Sequence, residues 1–528
     1  MNETRREVVR GEGGRWGRLG MTLLASGALV LVGLSAGACG DDDDDNVAGS
    51  AGTSGSAGKA GAGAGGSAGA GASGAAGASG AAGASGAAGA SGAAGAGGGG
   101  AGGGANPAQP VAIPISATGH DRLFGATYDA SGNLFGVGVS SATADANADL
   151  AFSVVKILPT GALDPAFGTG GVAVKNVIVG KGGEVSRGIV VQPSGKIVIA
   201  GTAEHVGATD ERDRDVAVVR FNADGTLDTT FGVNGVVTLD LSAGEVVGNG
   251  YVADTQWGLS VYPNGDLLVV GGQKAVGRTD SDFAVVRLKA DGALDATFGT
   301  NGVTTVDNNQ QSVSVRTGTI LPDGSVVVAG YSDDADGIVS PVLFKLTPTG
   351  ALDPSFGTAG VFNSIVLPSL TEAYAAAPQG DKFVTAGYGR AAAAESIDVL
   401  SLRLTAAGVI DPTYGTNGVV RIDNVGLADR ARSLLVLPDQ RVLLLGGTQL
   451  TDTNTDAMVI VLSQDGVPDE TFAPGGKRIY DLGGTGDFFW GASLSPDGKT
   501  AALVGYKAVG NVADNNDDAR VLLLPLAP

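Results

Sequence analysis

Three loops carry side-chain oxygens at alternate positions: Asp145-x-Asn147-x-Asp149, Asp452-x-Asn454-x-Asp456 and Asp514-x-Asn516-x-Asp518. Closely spaced oxygen ligands suit Ca²⁺, a hard cation that takes six to eight of them. Sparser versions stand at Glu211-x-Asp213-x-Asp215, Asp280-x-Asp282 and Asp334-x-Asp336-Gly337. None has the Glu at the twelfth position that an EF-hand loop needs, so these aspartates serve equally well as turn residues that hold backbone N–H groups. Apart from calcium, the sequence calls for no cofactor. A second set comprises Phe124, Arg187, Trp257, Arg316, Glu372, Arg432 and Trp490, each at the opening of a similar β-branched run. Arg pairs with carboxylates through a planar fork, and Trp stacks on sugars or holds cations. Brought together, they make a binding cage; alternatively the aromatics plug a channel and the arginines pair with Asp121, Glu184 and Asp429. Nucleophilic or metal catalysis has a thin supply, with two His (His120, His205) and one Cys (Cys39) in 528 residues. Neither His stands in a recognisable pattern with a Ser or Cys nucleophile, and carboxylates are too frequent for spacing to select an acid/base pair. The expectation is that the chain is not an enzyme.

These residues are positioned by a nine-residue phrase. It begins as Leu163-Asp164-Pro165-Ala166-Phe167-Gly168-Thr169-Gly170-Gly171 and returns at 227–235, 294–302, 352–360, 410–418 and, in altered form, 468–476. Its Asp and Pro open a turn, its aromatic is the one large side chain available to anchor it, and its glycines supply positive φ. Around it, β-branched runs alternate with turn signals such as Pro193-Ser194-Gly195. The clearest unit, 186–241, reads as four short strands joined by tight turns, one antiparallel sheet. The opening strand recurs seven times. Seven such sheets set radially make a seven-bladed β-propeller, an all-β fold that leaves only short protected edges. The last unit stops at a third strand, Ala519–Leu526, and a spare strand, 111–116, precedes the first. The expectation is that 111–116 pairs with the last blade and closes a propeller spanning 110–528.

The N-terminal part is different. Residues 1–38 have an Arg-bearing start, an apolar run from Leu19 to Leu34 and small residues up to Cys39, the pattern of an export signal. Residues 39–109 hold the run Asp41–Asp45 and then little but Gly, Ala and Ser. This composition cannot bury enough apolar surface to offset ordering entropy and predicts a disordered tether of roughly 45 Å mean span. The net charge of −21 argues against nucleic acid as a partner, because that binding runs on cationic neutralisation of phosphate.

Two resemblances add to this. The segment ending in Ser35-Ala36-Gly37-Ala38-Cys39 resembles a bacterial lipoprotein signal peptide, with Ala36 where that family usually has Leu. The resemblance implies cleavage before Cys39, acylation of its thiol and anchoring in the cell envelope, at the outer membrane or cell surface, through lipid alone. The repeated Leu-Asp-x-x-Phe-Gly-x-x-Gly, with upstream turns such as Pro322-Asp323-Gly324 and Pro496-Asp497-Gly498, resembles the delta-60 repeat found in surface or secreted proteins of myxobacteria. That resemblance implies a β-propeller and no settled activity. The resulting expectation is a monomeric envelope lipoprotein that binds or scaffolds an envelope or extracellular protein or glycan. The alternative is a polysaccharide hydrolase or lyase working at the channel mouth.

Overall fold

The computed structural model describes residues 108–526 except 144–147, 181–182, 208–209, 211, 248–249 and 509–516. The export signal, Cys39 and all but the last two residues of the tether lie outside the described residues, as do Asp145, Asn147, Asp514 and Asn516.

The fold is all-β, built of four-stranded antiparallel sheets. After a short N-terminal strand β1 (Val111–Ala112), the first sheet runs β2 (Asp121–Tyr128), β3 (Leu134–Ser141), β4 (Leu150–Ile157) and β5 (Val172–Lys175), each paired with its predecessor. The same meander recurs from first strands at Val185–Val191, Thr255–Val261, Ser312–Ile320, Leu370–Gln379, Asp429–Val436 and Gly486–Leu494. Single parallel bridges, Val339↔Leu370 and Thr455↔Gly486, link neighbouring sheets. The strands are rich in Val, Ile and Leu because the second and third strands are buried on both faces. Each sheet packs on the next, as where Phe283 meets Phe344 edge-on at 5.1 Å within one cluster.

The last sheet has three consecutive strands, and its C-terminal one, Asp518–Pro525, pairs with β1 through Val111↔Val521 and Ala112↔Arg520. The Ile113 N–H adds a bond to the Ala519 carbonyl at 2.9 Å, and the Ile113 side chain is buried. The pairing is shorter than 111–116. Pro114 has no N–H to give, and the N–H groups of Ile115 and Ser116 turn to the Asp121 carboxylate at 2.9–3.0 Å.

The nine-residue phrase clasps one sheet to the next. Its aromatic is fully buried in five copies (Phe167, Phe231, Phe298, Phe356, Tyr414) and half-buried in the sixth, Phe472. The following glycine takes φ of 51–55° in those five, and its N–H donates to a carbonyl of the next sheet, as from Gly357 to Ala407 at 2.8 Å. The phrase Asp accepts a hydrogen bond from a basic residue eight positions earlier on the third strand: Arg220 to Asp228 at 2.7 Å, Arg287 to Asp295 at 2.6 Å and Arg403 to Asp411 at 2.7 Å. The same arginines reach across to the next sheet, Arg287 to the Pro348 carbonyl at 2.8 Å and Arg403 to that of Gln464 at 2.6 Å.

Candidate functional site

In every first strand the pairing with the second strand slips by one residue at the same place. The skipped residues are Phe124, Arg187, Trp257, Arg316, Tyr374, Arg432 and Trp490. A bulge of this kind re-aims a side chain out of the regular alternation. All of these residues line one cavity of about 320 Å³. Small residues follow them (Gly125, Gly188, Gly258, Gly491) because the strands crowd together there: a Cβ on Gly491 would lie 2.5 Å from the Phe124 carbonyl oxygen.

Six of the seven sequence-selected residues therefore converge, and one selection is corrected. Glu372 is not in the ring; it is a regular ladder residue opposite Tyr388, and the ring position of that strand is Tyr374. The bulge falls between Ala373 and Ala375, two residues further along. A signal for it was present: Arg316, Tyr374, Arg432 and Trp490 each lie 18 residues after the phrase aromatic (Phe298, Phe356, Tyr414, Phe472). Glu372 lies behind the ring, its carboxyl pushed up by burial against a hydrogen bond from Tyr388 and the charges of Arg316 and Arg432.

Around the ring aromatic and Arg alternate. The Arg187 guanidinium lies 4.2 Å and that of Arg316 3.9 Å from the Trp257 ring centre; Arg316 lies 4.3 Å and Arg432 4.5 Å from that of Tyr374. With an odd number of positions two aromatics must meet, and Phe124 and Trp490 do so edge-on at 5.5 Å. Arg316 donates from Nη2 to the hydroxyls of Tyr331 (2.7 Å) and Tyr374 (3.2 Å) and from Nη1 to the Val315 carbonyl. Its Nε and the Trp490 Nε1 are buried without an acceptor. Cation–π stacking occupies the faces of a guanidinium and leaves its in-plane N–H groups available.

The carboxylates three positions before the ring serve the connections between sheets. Asp121 takes the N–H groups of Ile115 and Ser116, Glu184 those of Val177 and Ile178, Asp429 that of Asn424, and Asp487 those of Leu482 and Gly484. Burial raises them, to about 6 for Asp121 and Asp487 and about 7 for Glu184 and Asp254.

Of the three alternating acidic sets, only 452–456 is described in full. Asp149 accepts from Asn176 and from the Gly180 N–H. Asp452 is exposed on a turn, Asn454 donates to Asp456 at 2.9 Å, and Asp518 pairs with Arg520 and Lys507. Carboxylates from separate strands and loops meet, as Asp456 with Asp481 and Asp487, or Asp398 with Asp423 and Asp429, with oxygens within 4.8 Å of one another, and the sparse pair Asp280 and Asp282 meets Asp307 in the same way. Two such groups hold a basic side chain: Arg278 binds Asp280, Asp282 and Asp307, and Arg421 binds Asp398. His205 is itself part of one, bonded to Asp215 at 3.0 Å, a contact that raises its pKa. Neither His lines the cavity.

A family model described as "Domain of unknown function (DUF5122) beta-propeller" matches 192–231, 263–298 and 321–356. Each stretch starts at the turn after a first strand and ends on a phrase aromatic. The chain is a β-propeller repeat protein. No curated protein matches this sequence. Similar solved structures include a polysaccharide lyase, an ulvan lyase (10% identity, covering 79% of this chain and 96% of that one, TM-score 0.41). Others are the Penicillium chrysogenum α-L-arabinanase (11%, 64% and 92%, 0.39) and the β-propeller domain of the Trilobed protease from Pyrococcus furiosus (10%, 78% and 96%, 0.39). The expectation that this propeller is not an enzyme is corrected by these neighbours, since enzymes are among the propellers similar to it. At these identities and scores the likeness assigns it no activity.

Proposed function

We propose that this chain is a delta-60-type surface lipoprotein. In this reading acylated Cys39 and the Gly/Ala/Ser tether hold a seven-bladed propeller, closed by β1, at the outside of the cell envelope. The propeller binds an envelope or extracellular protein or glycan in the cup floored by its central ring. The observation that carries the reading is the convergence, in one cavity, of bulged residues drawn from every first strand. Arg, Trp and Tyr are the side chains most enriched where binding energy concentrates. Trp257 and Arg432 are only half-buried, which leaves the ring accessible.

The test is retention of envelope extracts and a glycan array on the immobilised full-length chain, with Trp257→Ala and Arg432→Ala as variants. Loss of the retained ligand by tenfold or more in both variants, at unchanged Tm, is expected. Identical retention by wild type and both variants overturns the reading. A second reading, a hydrolase or lyase acting from the same cup, is favoured by one feature: Tyr374, its phenol held by Arg316, is a lining group able to transfer a proton. New reducing ends released from a retained glycan, and lost in Tyr374→Phe, would establish it.

A further inference from the structure

The lining of the cup holds three guanidinium groups and no carboxylate, in a chain of net charge −21. An acidic protein repels anions over most of its surface, so a cationic recess is the one kind of place where it can hold them. The cations are also set in advance. Trp257 separates Arg187 from Arg316, and Tyr374 separates Arg316 from Arg432, so three positive charges stand side by side with π faces between them. The Arg316 Nε and Trp490 Nε1 donors lie on side chains only 5% and 8% exposed and have no acceptor within the protein. A buried donor without an acceptor is costly, and an anionic oxygen that penetrates from the cup to reach it would satisfy it. Thr317, Thr319 and Ser433 add hydroxyls to the walls. A cavity of about 320 Å³ sits at the small end of the roughly 300–1,000 Å³ range of ligand sites.

We infer that the cup recognises a carboxylate group, gripped by Arg187, Arg316 and Arg432 with help from the Trp490 indole N–H. This rests on the cup being a binding site. The carboxylate has two sources, a uronic acid within a glycan or a free polycarboxylic acid. A planar carboxylate suits the guanidinium fork, which is why charge and shape are read together.

The experiment is calorimetric titration of the full-length chain with trigalacturonate, its methyl ester, citrate and sodium sulfate. Trigalacturonate or citrate binds, and affinity falls at least tenfold on esterification, in Arg316→Gln and in Arg187→Gln. Trp490→Phe, which keeps a ring and removes the N–H, weakens binding several-fold. Unchanged Tm separates lost recognition from lost folding; should Arg316→Gln unfold, Arg187→Gln carries the test. Binding of trigalacturonate alone identifies the glycan source and binding of citrate alone the free acid, and both support the inference. It is overturned if neither acid binds, if the ester binds as well as the acid, if sulfate binds as tightly as either, or if the Arg variants bind normally. Should the acids fail while a neutral ligand is retained and then lost in Trp257→Ala, the binding function stands and only the carboxylate assignment falls.

Discussion

Replacing Arg403 tests whether the clasps between sheets hold the propeller together. Arg403 is 2% exposed. It donates to Asp411 at 2.7 Å, to the Gln379 side chain at 3.0 Å, to Thr413 at 3.0 Å and across the seam to the Gln464 carbonyl at 2.6 Å. Its guanidinium also lies 4.8 Å from the Tyr414 ring centre. Removing one partner of a buried ion pair costs about 3–5 kcal/mol. Lys382 still faces Asp411 at 2.7 Å, so Arg403→Leu belongs at the low end, about 3 kcal/mol. Arg403→Lys keeps a cation for Asp411, as Lys156 does for Asp164 and Lys345 for Asp353, both at 2.9 Å. It loses the fork and the bond to Gln464, worth about 1–1.5 kcal/mol. At about 2 cal/mol/K of unfolding entropy per residue, a unit of roughly 400 residues shifts its Tm by only about 1 °C per kcal/mol. Scanning calorimetry is therefore expected to give a drop of about 3 °C for Arg403→Leu and about 1 °C for Arg403→Lys. If Lys costs as much as Leu, the ion pair is not what the clasp depends on. If Leu raises Tm, burying the cation costs more than its contacts return, and the reasoning is wrong.

Two further outcomes follow from the described contacts. Deletion of 108–117 removes the strand paired with Asp518–Pro525 and the buried Ile113; Ile113→Ala alone is expected to cost about 2–5 kcal/mol, and an unchanged Tm after the deletion would refute closure through β1. Stability is expected to rise as pH falls from 8 toward about 5, because Glu184 and Asp254 (about 7) and Asp121 and Asp487 (about 6) bind protons in the folded state at pH values where the unfolded chain, with carboxyls near 4, does not. Below about pH 4 the trend reverses as Asp228, Asp353 and Asp411, all held below the usual range, lose their basic partners. Asp254→Asn is expected to flatten the rise between pH 8 and 5 in calorimetric Tm, and a profile identical to wild type would remove this explanation.

The repeat was legible because turn chemistry is local: Leu-Asp-Pro and Phe-Gly declare a corner wherever they stand, and the corners count the sheets. The site was legible only in part because it depends on register. Glu372 opens an apolar run as the other six residues do, whereas position in the ring depends on where the bulge falls, and in this strand it falls on Tyr374, 18 residues from Phe356. The one acidic set described in full shows the same dependence on register. Alternate residues share a face only within a continuous strand, and Asp452 lies on a turn, so Asp456 finds Asp481 and Asp487 from other segments. The clasp cation, eight residues before Asp164, Asp228, Asp295, Asp353 and Asp411, is equally regular, but where it is Arg220, Arg287 or Arg403 it also joins two sheets, so no single unit reveals its purpose. One metric thus sets both features: the phrase fixes each sheet to its neighbour, and in four copies the residue 18 positions beyond its aromatic is delivered to the cup. Because the clasps are held by a repeated backbone pattern, the ring positions are free to differ in chemistry without disturbing the frame, and alternation of Arg with aromatic rings is where this chain has used that freedom.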